Sequence, residues 1–380
     1  ASVMDALPAS AHLILLGDRD QLASVDAGAV LGELCQRAGP AHYTSATVDW
    51  LMAVTGMQVP DDLRDERGSA MDQAVAMLRK SYRFQQDSGI RKLADAVNGN
   101  ALDDALLAKA RSGGFEDVAV LPADPAPEDT QRLICHHAVT GSPTAFHHQG
   151  EGRSVNGQTL PPPAGYQHYL TRMRDHGLDA ASSRDDWGNL ARQVLAAFAD
   201  FQVLCALRKG PWGVEGLNEH IAQQLLSEKL IPRAEGWYAG RPVLVTGNDY
   251  NLGLMNGDIG ITFSLPWDRD DHGQPRHTLR VAFPANDGTD DIRWISPSRL
   301  QQLETVYAMT VHKSQGSEFT HTCLVLPDRL SPVLTRELVY TGITRARHWF
   351  SLIAGDETVL KESVAQRVVR ASGLAERLWV

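Results

Sequence analysis

Gln21, Arg83, Gln315 and Arg345 share a setting: each stands in a polar stretch next to a short apolar run. In open α/β sheets ligands gather beyond the carboxyl ends of the strands, so amide and guanidinium groups placed this way can converge on phosphate oxygens. Four segments carry the pattern: LLGDRDQLASVDAGAVLG (15–32), KSYRF (80–84), YAMTVHKSQGSEF (307–319) and ELVYTGITRARHW (337–349). A side-chain amide donates to a phosphate oxygen and accepts from an attacking water. A guanidinium keeps its charge and forks onto two oxygens, which suits the spread of charge in phosphoryl transfer. Each segment alone also has a plainer reading: GDRDQ as a solvated loop, SYRF as an arginine stacked between aromatics, Gln-Gly as a turn.

Stepping along the chain, HLILL (12–16) closed by Gly17-Asp18 has the pattern of a strand buried on both faces. A helix at 30–37 ends at Gly39-Pro40, and the polar stretch 56–70 reads as a linker before a helix at 71–80. Residues 85–115 read as helical and 118–121 as a strand, whereas 122–165, rich in Pro, Gly and His, reads as a long loop. Helices are expected at 166–175, 186–201 and 216–228 and a strand at 202–207. Alternating elements of this kind imply a parallel α/β sheet. Between 237 and 300 short runs (PVLVT, IGITF, TLRVAF, IRWI) replace the helical pattern, so a small antiparallel β-barrel inserted in the α/β domain is expected. Buried-strand patterns return at 305–311, 322–326 and 350–353, with a helix around 336–345.

Composition sets bounds on function. The 380 residues are 43% hydrophobic and 22% charged, within the range of a globular protein with two or three cores. No apolar run is long enough to cross a membrane and the first residues lack a signal-peptide pattern, so a soluble, cytoplasmic protein is expected. Cys35, Cys135, Cys205 and Cys323 form no C-x-x-C pair and suggest neither a disulfide framework nor a zinc ribbon. With a formal net charge of −10, any nucleic-acid contact must come from a local groove or from partners.

The segments LLGDRDQLASVDAGAVLG, KSYRF, YAMTVHKSQGSEF and ELVYTGITRARHW, taken in order, resemble motifs III, IV, V and VI of superfamily 1 helicases. The wording of GDRDQLASVDAGAVLG, NGDIG, MTVHKSQGSEF and RELVYTGITRAR resembles the RecD family, the helicase α subunits of exodeoxyribonuclease V (RecBCD). The resemblance runs over 12–38 and about 200–355; between 85 and 200 it rests on order alone. It implies RecA-like motor lobes with parallel sheets, an SH3-like barrel insert, ATP with Mg²⁺ as cofactors, a single-stranded DNA end as substrate, and RecB-like and RecC-like partner subunits. By the same resemblance residues 1–60 are the end of a first lobe, 61–236 with 301–380 a second lobe, and 237–300 the barrel. Gln21 then senses the γ-phosphate, with Asp18 and Asp20 shaping the loop beside the metal-bound phosphates. Arg83 and Arg345 reach the phosphates from the second lobe, with Arg347 an auxiliary contact or surface ion pair. Gln315, Gly316 and Glu318 face nucleotide, Gly316 through close backbone approach and Glu318 as an acceptor for ribose hydroxyls. Thr310, His312 and Lys313 face DNA or the lobe interface.

Other features are secondary. Trp237, Tyr238, Asn248, Tyr250 and Asn251 could contact a single strand, as small barrels do, or fill the barrel core. His136-His137 and His147-His148 carry no carboxylate pattern, and no metal site is expected there. No G-x-x-x-x-G-K-[ST] occurs in the 380 residues. The resemblance places that loop and an Asp-Glu strand before residue 1, and the chain by itself is then expected neither to hold ATP tightly nor to unwind DNA. The alternatives are a non-catalytic module that docks DNA or partner subunits, and a related stand-alone RecD-like or relaxase helicase.

Overall fold

A computed structural model describes residues 5–22, 30–79, 83–85, 87–122, 127–285 and 287–367. The described residues fall into two compact units, 5–79 and 83–367.

In the first unit the helices are α1 (Val30–Leu34) and α2 (Ser45–Thr55). The expected strand at 12–16 is absent: the backbone there is irregular, and Ile14 and Leu16 are 80% and 90% exposed. An apolar run becomes a buried strand only when neighbouring strands take up its backbone groups, and among the described residues none pairs with it. The helix expected at 71–80 is a single 3₁₀ turn at Asp72–Ala74. Asp72 explains this, because its carboxylate accepts from Ser69 N–H (2.7 Å) and Oγ (2.8 Å) and pairs with Arg37 Nε at 3.2 Å, which stabilises a local turn instead. Residues 23–29 of the third motif lie outside the described residues.

The second unit opens with α3 (Gly89–Asn98) and α4 (Asp104–Arg111), started by Ser88 and Asp103, whose side chains accept from Arg91 N–H and Leu106 N–H. Strand β1 (Val118–Pro122) follows, and then α5 (Pro127–Thr140) where a loop was expected. Its inward stripe carries Thr130, Ile134, His137 and Ala138, and the two polar side chains on that stripe hide the apolar period. A small hairpin, β2 (Ser154–Val155) with β3 (Gln158–Thr159), leads to α6 (Gln167–Arg174) and α7 (Arg184–Ala199). Helix α7 starts in a capping box between Ser183 and Asp186. Strand β4 (Phe201–Cys205) is buried throughout, and α8 (Val214–Ser227) follows.

Five strands then build a second sheet: β5 (Pro242–Val245), β6 (Ile259–Arg269), β7 (Pro275–Pro284), β8 (Ile292–Ile295) and β9 (Leu303–Thr305). They are antiparallel in the order β8-β7-β6-β5-β9 over a core of Val243, Val245, Leu254, Val281, Phe283 and Ile295. Among the described residues no ladder joins β8 to β9, so the insertion is an open five-stranded sheet in its strand pairing. The chain then returns to the α/β layer with β10 (Ala308–Thr310), β11 (Phe319–Leu326), α9 (Arg336–Thr344), β12 (Ala346–Ala354) and α10 (Glu357–Ala365).

The main sheet has the order β1-β12-β11-β4-β10 with every pair parallel. Its middle strands are largely buried, with apolar runs such as 323–326 beside a few buried polar side chains, among them Gln202, His321, Thr322 and Ser351. Strand β10 lies at one edge, and Asn218 on α8 completes it. The Asn218 carboxamide accepts from Ala308 N–H at 3.0 Å and donates to Ala308 O at 3.0 Å, so it pairs as a neighbouring strand would. No described helix is long and apolar enough to cross a membrane.

Candidate phosphate-facing and DNA-facing site

Three segments of the second unit meet at the amino-terminal ends of β11 and β12. The first brings Arg83, whose Nη1 lies 3.0 Å from Glu318 Oε1 and whose Nη2 donates to Ala346 O at 3.0 Å. The second is the turn between β10 and β11. Thr310 Oγ1 accepts there from Lys313 N–H at 3.3 Å, and Ser314 Oγ donates to Val311 O at 2.8 Å. Gly316 holds a φ of +83°, a conformation that strains any residue with a Cβ. The third is the end of α9, where Arg345 Nε donates to Thr341 O (3.3 Å) and Nη1 to Ser317 O (3.1 Å). Arg347 Nε reaches Glu318 Oε2 at 3.0 Å.

Glu318 thus bridges two arginines. Burial pulls the Arg83 guanidinium below its ordinary range, Glu318 opposes this, and Arg345 and Arg347 add to the lowering. A guanidinium remains charged through such a change, so this corner keeps a positive surplus around one carboxylate. His348 is lowered from its ordinary value mainly by burial and then by Arg153, Arg347 and Arg83, which marks the same positive field.

Arg345 is only 4% exposed and holds the 317 turn against α9; in this state it positions the turn instead of projecting from it. Arg347, expected to be an auxiliary contact or a surface ion pair, forms an ion pair with Glu318, which it shares with Arg83. Glu318, expected to face ribose, is held by guanidinium groups.

At the other end of the turn Lys313 Nζ donates to Asn256 Oδ1 at 3.0 Å, joining the loop between β10 and β11 to the loop before β6. Tyr250 in that latter loop is 78% exposed, and Asn251 is exposed beside it. Trp237 and Tyr238 are instead packing residues: Trp237 lies against the insert's core, and Tyr238 is buried with its hydroxyl 3.1 Å from that of Tyr307. Asn256 stands in the NGDIG run, a signal visible in the sequence but not assigned to a residue. Asn218 had no such signal, since a lone Asn within a helical pattern reads as surface.

In the first unit Gln21 Nε2 donates to Asp18 Oδ2 at 2.8 Å and Asp20 N–H to Asp18 Oδ1 at 3.0 Å, so Asp18 organises this loop. Of the paired histidines, His137 is buried against Phe201 and His321, while the His147 and His148 rings meet edge to face.

Residues 305–353 match the UvrD-like helicase C-terminal domain. The RecBCD enzyme subunit RecD of Haemophilus influenzae is 33% identical over 386 aligned residues, covering all of this chain and 52% of that protein. That of Mycobacterium tuberculosis is 34% identical over 378 residues, again covering all of this chain and 50% of its own length. A solved Pif1 helicase from Bacteroides, in complex with ADP-AlF3 and ssDNA, overlaps 78% of this chain and 54% of its own with 14% identity and a TM-score of 0.32, too loosely to carry an argument. The match to RecD subunits extends through every segment read as a helicase motif, and the chain spans about half the length of the curated relatives it matches. Over its whole sequence, the chain is similar to RecBCD enzyme subunits RecD.

Proposed function

We propose that this chain supplies the DNA-facing turn and the cross-lobe arginines of an ATP-driven, 5′ to 3′ DNA helicase subunit that works with RecB-like and RecC-like partners in double-strand break repair. What supports the reading is the convergence of Arg83, Glu318, Arg345 and Arg347 at one end of the turn between β10 and β11, while Lys313 at its other end meets Asn256. One rigid turn therefore links a phosphate-type corner to an exposed polar loop, an arrangement suited to coupling nucleotide state to a grip on a strand. Arg83, Arg345 and Arg347 have the chemistry to hold triphosphate oxygens, and Mg²⁺ would arrive with the triphosphate to offset its charge. Gln21 and Asp18 are assigned to the γ-phosphate side, and Gln315 and Gly316 to nucleotide. Thr310, His312, Lys313, Tyr250 and Asn251 are assigned to DNA: Lys313 as a point charge for a phosphodiester, Tyr250 as a surface on which a base stacks.

Fluorescence anisotropy of labelled oligo-dT with the 380-residue chain tests the DNA arm. Lys313→Ala should weaken binding and lower the dependence of log affinity on log salt by ~0.7, the share of one phosphate contact on a single strand. An unchanged affinity and slope would remove Lys313 and its turn from the DNA face.

A further inference from the structure

On the α3–α4 side of the arginine corner lies a cavity of about 260 Å³. Arg83 and Arg347 stand on its wall, and three more cations complete it: Lys92, Lys109 and Arg153. None of these last three belongs to a segment read as a helicase motif. Lys109 Nζ sits 4.8 Å from the centre of the Phe115 ring and Lys92 Nζ 5.7 Å from it, so one aromatic ring holds both ammonium groups at the cavity. Among the described residues neither lysine has a carboxylate within ion-pair distance; Lys92 Nζ donates only to Asp87 O at 3.3 Å. The wall also carries acids, which must be weighed against the cations. Asp117 is already satisfied by Ser88 Oγ (2.6 Å) and Gly89 N–H (2.8 Å), and Arg153 stands 3.6 Å from it. Asp87 and Glu116 remain, leaving cations in excess in a chain whose overall charge is negative.

We infer that this cavity is a binding site for a phosphoryl anion and that Glu318 is its internal competitor. The two oxygens of the Glu318 carboxylate take Arg83 and Arg347 at 3.0 Å each, much as two oxygens of one phosphoryl group would. An anion entering the cavity meets Lys92 and Lys109 first, and then draws the two guanidinium groups from Glu318. The carboxylate keeps the arginines close together against their mutual repulsion and releases them when a group of higher charge arrives. The inference rests on the phosphate-handling reading of Arg83 given above, and it adds Lys92, Lys109 and Arg153 as ligands from outside the motif segments. The same chemistry fits the polyphosphate tail of a nucleotide and a free phosphate ion.

Isothermal titration of the 380-residue chain with sodium tripolyphosphate, and separately with inorganic phosphate, tests it, with circular dichroism melts to show that each variant is folded. Glu318→Gln keeps the shape and removes the competing charge, and should tighten tripolyphosphate on the order of fivefold, the reach of a half-exposed ion pair. Lys92→Ala with Lys109→Ala should weaken it by about tenfold or more, as expected for lost charge-assisted contacts. Tighter binding of tripolyphosphate than of phosphate assigns the site to a nucleotide tail, and the reverse to the free ion. Wild-type protein that takes up neither anion overturns the proposal, as does a Glu318→Gln variant that binds no better. If tripolyphosphate binding survives the double lysine variant but is lost in Arg83→Ala, the cavity is wrong and the phosphate-handling reading of Arg83 stands.

Discussion

Leu13 to Leu16 and Ala308 to Thr310 are both short apolar runs followed by a polar loop, yet they end in opposite states. The second is strand β10, paired with β4 on one side and with the Asn218 carboxamide on the other. The first is exposed irregular backbone. The difference lies in the neighbours rather than in the run: β10 has acceptors and donors on both sides, and 13–16 has none among the described residues. The two polar loops differ in the same way. Asp18 and Gln21 bond to each other and Arg19 Nη1 donates to Cys35 O at 2.8 Å, whereas the 311–318 turn is held by side chains that reach it from position 83 and position 345. Long-range anchoring is what fixes a side chain well enough to serve as a catalytic or binding group.

Arg345 offers the strongest test of that contrast. In a RecD-type chain that also carries a phosphate-binding loop, Arg345→Ala should slow single-turnover ATP hydrolysis by ~10³-fold or more, about 4 kcal/mol of transition-state stabilisation. Arg345→Lys should recover little, because an ammonium cannot keep both the Thr341 and Ser317 carbonyls. A near-normal rate would reduce Arg345 to a brace for the turn and move the catalytic role to Arg83 or Arg347.

The buried histidines beneath the same sheet give the next effect. Burial drives His137 down to about 3, and burial followed by the His137 charge drives His321 well below its ordinary value. At His137 the unfolded chain takes up its proton at about pH 6.5 whereas the folded chain refuses it until about pH 3, so unfolded protein binds more protons across that window. Stability is therefore fully present above pH 6.5 and falls as pH drops, by roughly 2 kcal/mol at pH 5 for His137 alone. Unfolding free energies from urea titrations at pH 7 and pH 5 should differ by this amount more in wild-type than in His137→Phe. Equal pH dependence of the two proteins would mean that His137 is hydrated in solution.

Asn218→Ala leaves Ala308 N–H and C=O without their side-chain partner at the edge of β10. The expected loss is about 1–3 kcal/mol. Hydrogen exchange at Ala308 should accelerate beyond the global change. A variant as stable as wild type, with Ala308 still protected, would show that the edge does not depend on the carboxamide.

How much of this was legible follows the same division. Strands β4, β11 and β12 and helices α7, α8 and α9 could be read because their burial is continuous and their caps are local, such as Ser183 with Asp186 and Thr335 with Leu338. Helix α5 was hidden by the polar Thr130 and His137 on its inward face, and the turn at Asp72 was hidden because a carboxylate pairing with Arg37 leaves no periodic mark. In the site, Arg83, Glu318 and Arg345 were visible as residue types in suggestive segments. Their partners were not: that Glu318 joins Arg83 to Arg347 spans 264 positions of sequence and depends on how three segments fold together. Lys92, Lys109 and Arg153 were invisible for the same reason, since nothing local sets them apart from solvated charge.

The smallest effect is the one that separates the two runs most cleanly. If 13–16 is irregular and exposed in the 380-residue chain, Leu16→Ser exchanges one solvated side chain for another and should change the unfolding free energy by no more than about 0.5 kcal/mol. Leu324→Ala, within β11 and fully buried, should cost about 2–5 kcal/mol by the cavity it leaves. Both substitutions remove a leucine side chain from a short apolar run, so the comparison turns chiefly on what surrounds each leucine. Urea unfolding followed by tryptophan fluorescence measures the pair, and amide exchange at 13–16 gives an independent reading, with rates expected near those of an open chain. A loss above 1 kcal/mol for Leu16→Ser, or slow exchange at Ile14 and Leu15, would mean that this run finds strand partners in solution, and that the pattern HLILL-Gly-Asp specifies a strand by itself.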